Sequence, residues 1–167
     1  MQESSYKTLR NQNLPKTIKT IFVLESPPEH GGYFYDPKGR PSELLFRSFM
    51  QCIFNKKFST KDEGLRCFAE AGYILVDPIY IPVDKLSDKK ANALILNNYS
   101  NFVRDLKELI GSKKVSIILV KKTICELLEA KLKEDGFHVL NNGLAIPFPM
   151  HYHYKNFEDK VKSLLSF

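Results

Sequence analysis

The sequence predicts an α/β fold, a three-layer sandwich with a central, mostly parallel four-stranded sheet and helices on both faces. Three observations carry that prediction. Short apolar, β-branched runs alternate with segments of helical period along the chain. Cap and turn residues stand at the junctions between them. No repeat, low-complexity stretch or change of composition divides the 167 residues, a length that suits one domain burying roughly two-thirds of its unfolded surface.

Residues 1–16 are polar and without periodicity, and read as an N-terminal arm that frays or lies over the domain of residues 17–167. Thr17 to Leu24 (TIKTIFVL) is a largely buried strand that runs into Pro27-Pro28 and a loop carrying Gly31, Gly32 and Gly39. Pro41 suits a first helical turn, and Leu44, Leu45, Ser48, Phe49 and Cys52 continue with helical spacing to Phe54. Thr60 and Glu63 have capping-box spacing for a helix from Lys61 to Ala71, which Gly72 ends before the second strand, Tyr73 to Val76. Asp77-Pro78 closes that strand.

Ser87 to Ile110 reads as helical, with Gly111 as terminator, and Val115 to Val120 (VSIILV) is the clearest strand. Thr123 and Glu126 suggest another capping box, opening a helix with Ile124, Leu127, Leu128 and Leu132 on one face. Phe137 to Ile146 gives a last extended region, interrupted by a turn at Asn141-Asn142-Gly143. A final helix capped by Asn156 spans Phe157 to Leu165.

Hydrophobic residues make up 43% and charged residues 26%, which is globular rather than disordered usage. A net charge of +6 and a pI near 9.1 suit an anionic partner, nucleic acid included, although a solvated basic surface accounts for the charge equally well. Cys52, Cys67 and Cys125 are too few and too scattered for a disulfide framework or a four-thiolate cluster, which points to reduced thiols in a cytoplasmic or, in a eukaryote, nuclear compartment. There is neither a signal-like leader nor a run of about 18 apolar residues, so secretion and membrane insertion are not expected. A soluble monomer is the expectation.

In open α/β sheets, ligands bind beyond the carboxyl ends of the strands. The residues there are Glu25, Ser26, His30, Tyr33, Phe34 and Tyr35 after the first strand and Asp77 and Tyr80 after the second. Lys121 and Lys122 follow the third, and Phe148, Met150, His151 and His153 follow the last. His151 and His153 have the spacing of a metal-binding pair but no third ligand nearby in sequence, so no metal and no cofactor is expected.

Four segments together resemble the uracil-DNA glycosylase superfamily over roughly Thr17 to Leu165. Leu24-Glu25-Ser26-Pro27-Pro28 is similar to its first motif, Gly-Glu-Ala-Pro-Gly in one branch, and Gly32-Tyr33-Phe34-Tyr35 to the stretch that supplies a ring beneath a flipped base. Asp77 falls where many members carry a base-reading Asn. Ile146-Pro147-Phe148-Pro149-Met150-His151 is similar to the second motif, which touches sugar-phosphate and minor groove.

The resemblance implies base flipping and hydrolysis of the N-glycosidic bond of a damaged or deaminated DNA base, in double- or single-stranded DNA, the opening step of base excision repair. It assigns Glu25, Ser26 and His151 to catalysis. Glu25 would position water and stabilise an oxocarbenium-like sugar, Ser26 would orient water, and His151 would assist the leaving base or contact a phosphate. Phe34, or a tyrosine neighbour such as Tyr35, would stack the base. Asp77 would read its edge, and as an ionised acceptor would favour edges that present donors. Phe148 and Met150 would line the opened base step, with Met150 as a wedge, and Lys121, Lys122, Arg40, Lys38 and Lys155 would contact phosphates.

This sequence departs from the pattern at Ser26, where other branches have Asp or Asn, and at Phe148 or Ile146, where the second motif has its His. A nucleobase- or nucleic-acid-binding protein without hydrolysis is therefore the alternative. A small-molecule hydrolase using Glu25 or Ser26 is a third, with no Gly-x-Ser-x-Gly elbow to support a serine nucleophile.

Overall fold

Ile21, Phe22 and Val23 show no polar alternation, and the reason is their position in the middle of the sheet, where both faces of the strand are buried. In the computed structural model, which describes residues 3–165, Thr20–Val23 (β1) pairs in parallel with Tyr73–Val76 (β2) on one side and Ser116–Leu119 (β3) on the other. His138–Val139 (β4) pairs in parallel with β3, giving the order β2-β1-β3-β4. The sheet is thus all-parallel. From β1 the chain turns towards one edge at β2, and from β3 towards the other at β4. The direction reverses between β1 and β3, the position at which an open sheet leaves a crevice beyond its strand ends.

Seven helices are described: Glu3–Asn11 (α1), Leu44–Phe54 (α2), Lys61–Glu70 (α3), Asp88–Asn97 (α4), Tyr99–Ile110 (α5), Lys122–Glu134 (α6) and Tyr154–Leu165 (α7). α2 packs on α3 and α7, α3 on β2, and α6 on β3 and β4. Phe22, Phe34, Phe49, Phe68 and Phe157 join sheet to helices, with centroids 5.0 Å apart for Phe22–Phe49, 5.2 Å for Phe34–Phe68 and 5.3 Å for Phe49–Phe157. Their edge-to-face arrangement adds specificity to the burial. Thr60 caps α3 by accepting from the Glu63 amide, as its spacing predicts. Gly72 follows at φ 87°, where a Cβ would come within 3.0 Å of the Thr17 carbonyl oxygen. No helix among the described residues is long and apolar enough to cross a membrane.

Several boundaries differ from the sequence reading. The N-terminal segment contains α1, which buries Tyr6 and Arg10 against the domain. The helix expected from Pro41 begins at Leu44. The long helix expected over 87–110 is divided at Asn98, whose side-chain amide donates to the Pro78 carbonyl at 2.9 Å. The last extended region keeps only two residues as β4. Beyond them the Asn141 side chain replaces backbone pairing, accepting from Leu119 N at 2.8 Å and donating to Leu119 O at 3.0 Å. Asn156 lies inside α7 rather than at its cap. The Thr123–Glu126 box does not form either, since α6 starts at Lys122 and Thr123 Oγ1 is buried with no hydrogen-bond partner among the described residues.

Candidate active site

The crevice between the ends of β1 and β3 opens into a cavity of about 530 Å³, within the usual range of small-ligand pockets, roughly 300–1,000 Å³. Glu25, Ser26, Tyr33 and Phe34 enter it from the loop after β1, Asp77 and Val83 from the segment after β2, Lys121 from the end of β3, and Phe148 and Met150 from the segment beyond β4. Four strand ends therefore supply one site. Leu45 on α2 and Leu86 and Ala91 at α4 add apolar wall.

Glu25 is 15% exposed, and its Oε2 accepts from Lys121 Nζ at 2.7 Å, an ion pair that spans the crevice. Lys121 holds φ 79°, a left-handed conformation for a residue with a Cβ, at the position that caps α6. Its N–H donates to the Ile146 carbonyl at 2.9 Å, and its own carbonyl accepts from the amides of Ile124 and Cys125. With its ammonium on Glu25, Lys121 is not the free phosphate ligand the sequence suggests.

Asp77 is 3% exposed and lines the cavity. Burial pushes its pKa up to about 8, the Arg10 guanidinium pulls it down, and the Glu25 carboxylate pushes it up again. At neutral pH Asp77 is therefore mostly protonated, offering one O–H donor beside one carbonyl acceptor, as an Asn amide offers a donor beside an acceptor. The sequence reading takes Asp77 as an ionised acceptor, and burial shifts it towards the protonated form.

Phe34 lines the cavity with a 1% exposed ring, held by Tyr35, Phe46, Phe49 and Phe68 at centroid distances of 5.0 to 5.8 Å. A ring so confined presents a fixed surface rather than a mobile one. Tyr35 is in the core instead, where its hydroxyl accepts from Leu75 N at 2.7 Å, so it is not available for stacking. Ser26 Oγ accepts from Val83 N at 3.2 Å and braces the wall. Met150 is 44% exposed at the rim. His151 and His153 lie on an exposed turn, outside the cavity lining, so the structure does not bring His151 to the carboxylates. Among the described residues no group of three or more His, Cys, Asp or Glu could hold a metal ion.

Two supports of the site escape a reading of the sequence. Arg10, buried at 1% exposure, donates to both Asp105 carboxylate oxygens at 2.5 and 3.0 Å and to Tyr80 Oη at 2.9 Å, and Tyr80 Oη accepts from Asp77 N at 3.4 Å. Burial pushes the Asp105 carboxyl up, but the guanidinium outweighs it and leaves the pKa lowered. Lys61, equally buried, donates to the Tyr33 carbonyl at 2.6 Å and to Glu43 at 2.9 Å, fixing the loop that carries Phe34. Tyr6 and Tyr33 complete the bracing: Tyr6 Oη donates to the Pro28 carbonyl, and Tyr33 Oη to the Tyr6 carbonyl, each at 3.0 Å. The spacing of Tyr6, Leu9 and Arg10 was the available signal for α1. Nothing local links Glu43 to Lys61.

Compared with known proteins, the chain matches no family model, no curated protein and no solved structure.

Proposed function

We propose that the chain is a monofunctional DNA glycosylase-like hydrolase, cleaving the N-glycosidic bond of a base flipped from DNA. The observation that supports this reading best is the convergence of Glu25, Phe34 and Asp77 on one cavity at the switch point of the sheet. An apolar slot with two carboxyl groups suits a flat heterocycle joined to a sugar: Phe34 supplies the ring surface, Asp77 the polar edge, and Glu25 the charge.

In the reaction, the C1′–N bond breaks with its electron pair leaving on the base, and the sugar becomes oxocarbenium-like. Glu25 stabilises that charge and orients a water, whose oxygen bonds to C1′. The water's proton passes through the carboxylate to solvent, and the departing base takes a proton from its surroundings. With His151 outside the cavity, the hydrogen bond to the departing base comes from the Asp77 carboxyl, which keeps its own proton. Met150 at the rim suits a wedge at the opened base step, and the +6 net charge suits a polyanionic partner.

Product formation on duplexes and single strands carrying uracil, hypoxanthine, xanthine or an alkylated base tests the reading. An abasic site on at least one is expected, and none on any of them, with folded protein, refutes it. Glu25→Gln should lower the rate more than tenfold while sparing DNA binding. The alternative, a binding protein that retains the pocket without hydrolysis, is favoured by the structural use of Ser26 and the exclusion of His151. Salt-dependent DNA binding without abasic product would distinguish it.

A further inference from the structure

Lys121 combines two features that local structure alone does not explain. Its backbone occupies φ 79°, where a Cβ is unfavourable and glycine is not, and its side chain crosses the crevice to Glu25 at 2.7 Å. The backbone at this point has its own work, accepting the first amides of α6 and donating to Ile146, and glycine would perform that work without strain. Only the side chain distinguishes lysine here. The ion pair is partly open to solvent, 32% and 15% exposed, so screening and desolvation limit its net contribution to folding and stability alone is a weak reason for tolerating the strain. Strain held at a cavity wall is a signature of a constrained functional group.

We propose that Lys121 is a positioning residue for Glu25. Its ammonium fixes one carboxylate oxygen, Oε2, of a residue that lines the cavity, and the other oxygen is the atom assigned to meet the reacting water and the sugar. Without that anchor the carboxylate is free to rotate, and its average geometry moves away from the attack line, where small misplacements are costly. The inference rests on the glycosylase-like reading for its chemistry, but the strain and the anchoring are properties of the chain itself.

The test compares Lys121→Gly, Lys121→Met and Lys121→Arg with the wild-type chain. Lys121→Gly should leave Tm unchanged or raise it by roughly 2–4 °C, as relief of strain offsets the lost ion pair. It should also reduce the single-turnover rate at least tenfold, with substrate binding little changed. Lys121→Met, which keeps the strain and loses the charge, should be equally slow without the gain in Tm. Lys121→Arg should recover part of the rate, and millimolar ethylammonium should restore part of it to Lys121→Gly. Relaxation of a ¹³C-labelled Glu25 side chain, which needs no substrate, should show greater mobility in the Gly and Met variants than in the wild type. A Lys121→Gly protein within twofold of wild-type rate, or a Glu25 side chain equally ordered in all variants, overturns the assignment. If the wild-type chain forms no abasic product on any duplex, the glycosylase-like reading fails by itself, and the Glu25 relaxation still decides the role of Lys121.

Discussion

Replacing Asp77 with Asn keeps a donor and an acceptor at the same place in the cavity and removes the proton equilibrium. In the wild-type chain the folded-state pKa is raised from 3.8 to about 8, chiefly by burial. Below pH 3.8 both folded and unfolded states carry the proton, and Asp77 costs nothing. Between 3.8 and about 8 the unfolded chain releases it while the folded chain retains it, so stability falls by about 1.4 kcal/mol per pH unit. Above about 8 both states are ionised and the loss levels off.

At pH 7 the penalty is on the order of 4 kcal/mol as an upper limit, and roughly 2–4 kcal/mol once water entering the cavity is allowed for. Urea unfolding of wild type and Asp77→Asn at several pH values measures it, because the other titrating groups cancel in the difference. The variant should match wild type near pH 4 and gain progressively up to pH 8. The rate should follow: wild-type cleavage falls above pH 8 as Asp77 loses its donor, while the Asn variant holds its rate. A stability difference independent of pH, or an Asp77 carboxyl ¹³C titration with its midpoint near 4, refutes the reasoning.

Other consequences can be measured directly. Arg10→Met should destabilise by about 3–5 kcal/mol, because Asp105 is left buried with Lys7 at 3.2 Å as its one remaining ion partner among the described residues, and the loss should shrink in acid as that carboxylate takes up a proton. Chemical unfolding at pH 7 and pH 3.5 checks both parts. Thr123→Val should stabilise by about 1–2 kcal/mol, because it removes a buried hydroxyl without a partner while keeping its shape. A lower Tm in that variant would mean that the hydroxyl is satisfied in solution.

The sequence by itself determined the parallel α/β class, because TIFV, YILV and SIIL are short, mostly apolar runs without polar alternation, the pattern of buried parallel strands, and they alternate with helical segments. It also determined which loops meet at the strand ends, since position after a strand is a local property. Position gave the set of loop residues, and the resemblance to glycosylase motifs singled out Glu25, Phe34 and Asp77 within it. Tertiary structure decided what each of them can do. The state of Asp77 depends on dehydration, on Arg10 from α1 and on Glu25 across the crevice, and none of these is readable from residues 73–80. Lys121 reads locally as a surface cation, and only the approach of β1 to β3 turns it towards Glu25. Tyr35 and Phe34 are neighbours with similar side chains, yet the pleat of one short loop sends one hydroxyl to the Leu75 amide and leaves the other ring at the cavity. His151 lies on an exposed turn outside the cavity lining, although its place in the sequence is after the last strand like that of Phe148 and Met150. Hydrophobic pattern is written along the chain, but the charge, reach and proton of a side chain belong to what is packed around it.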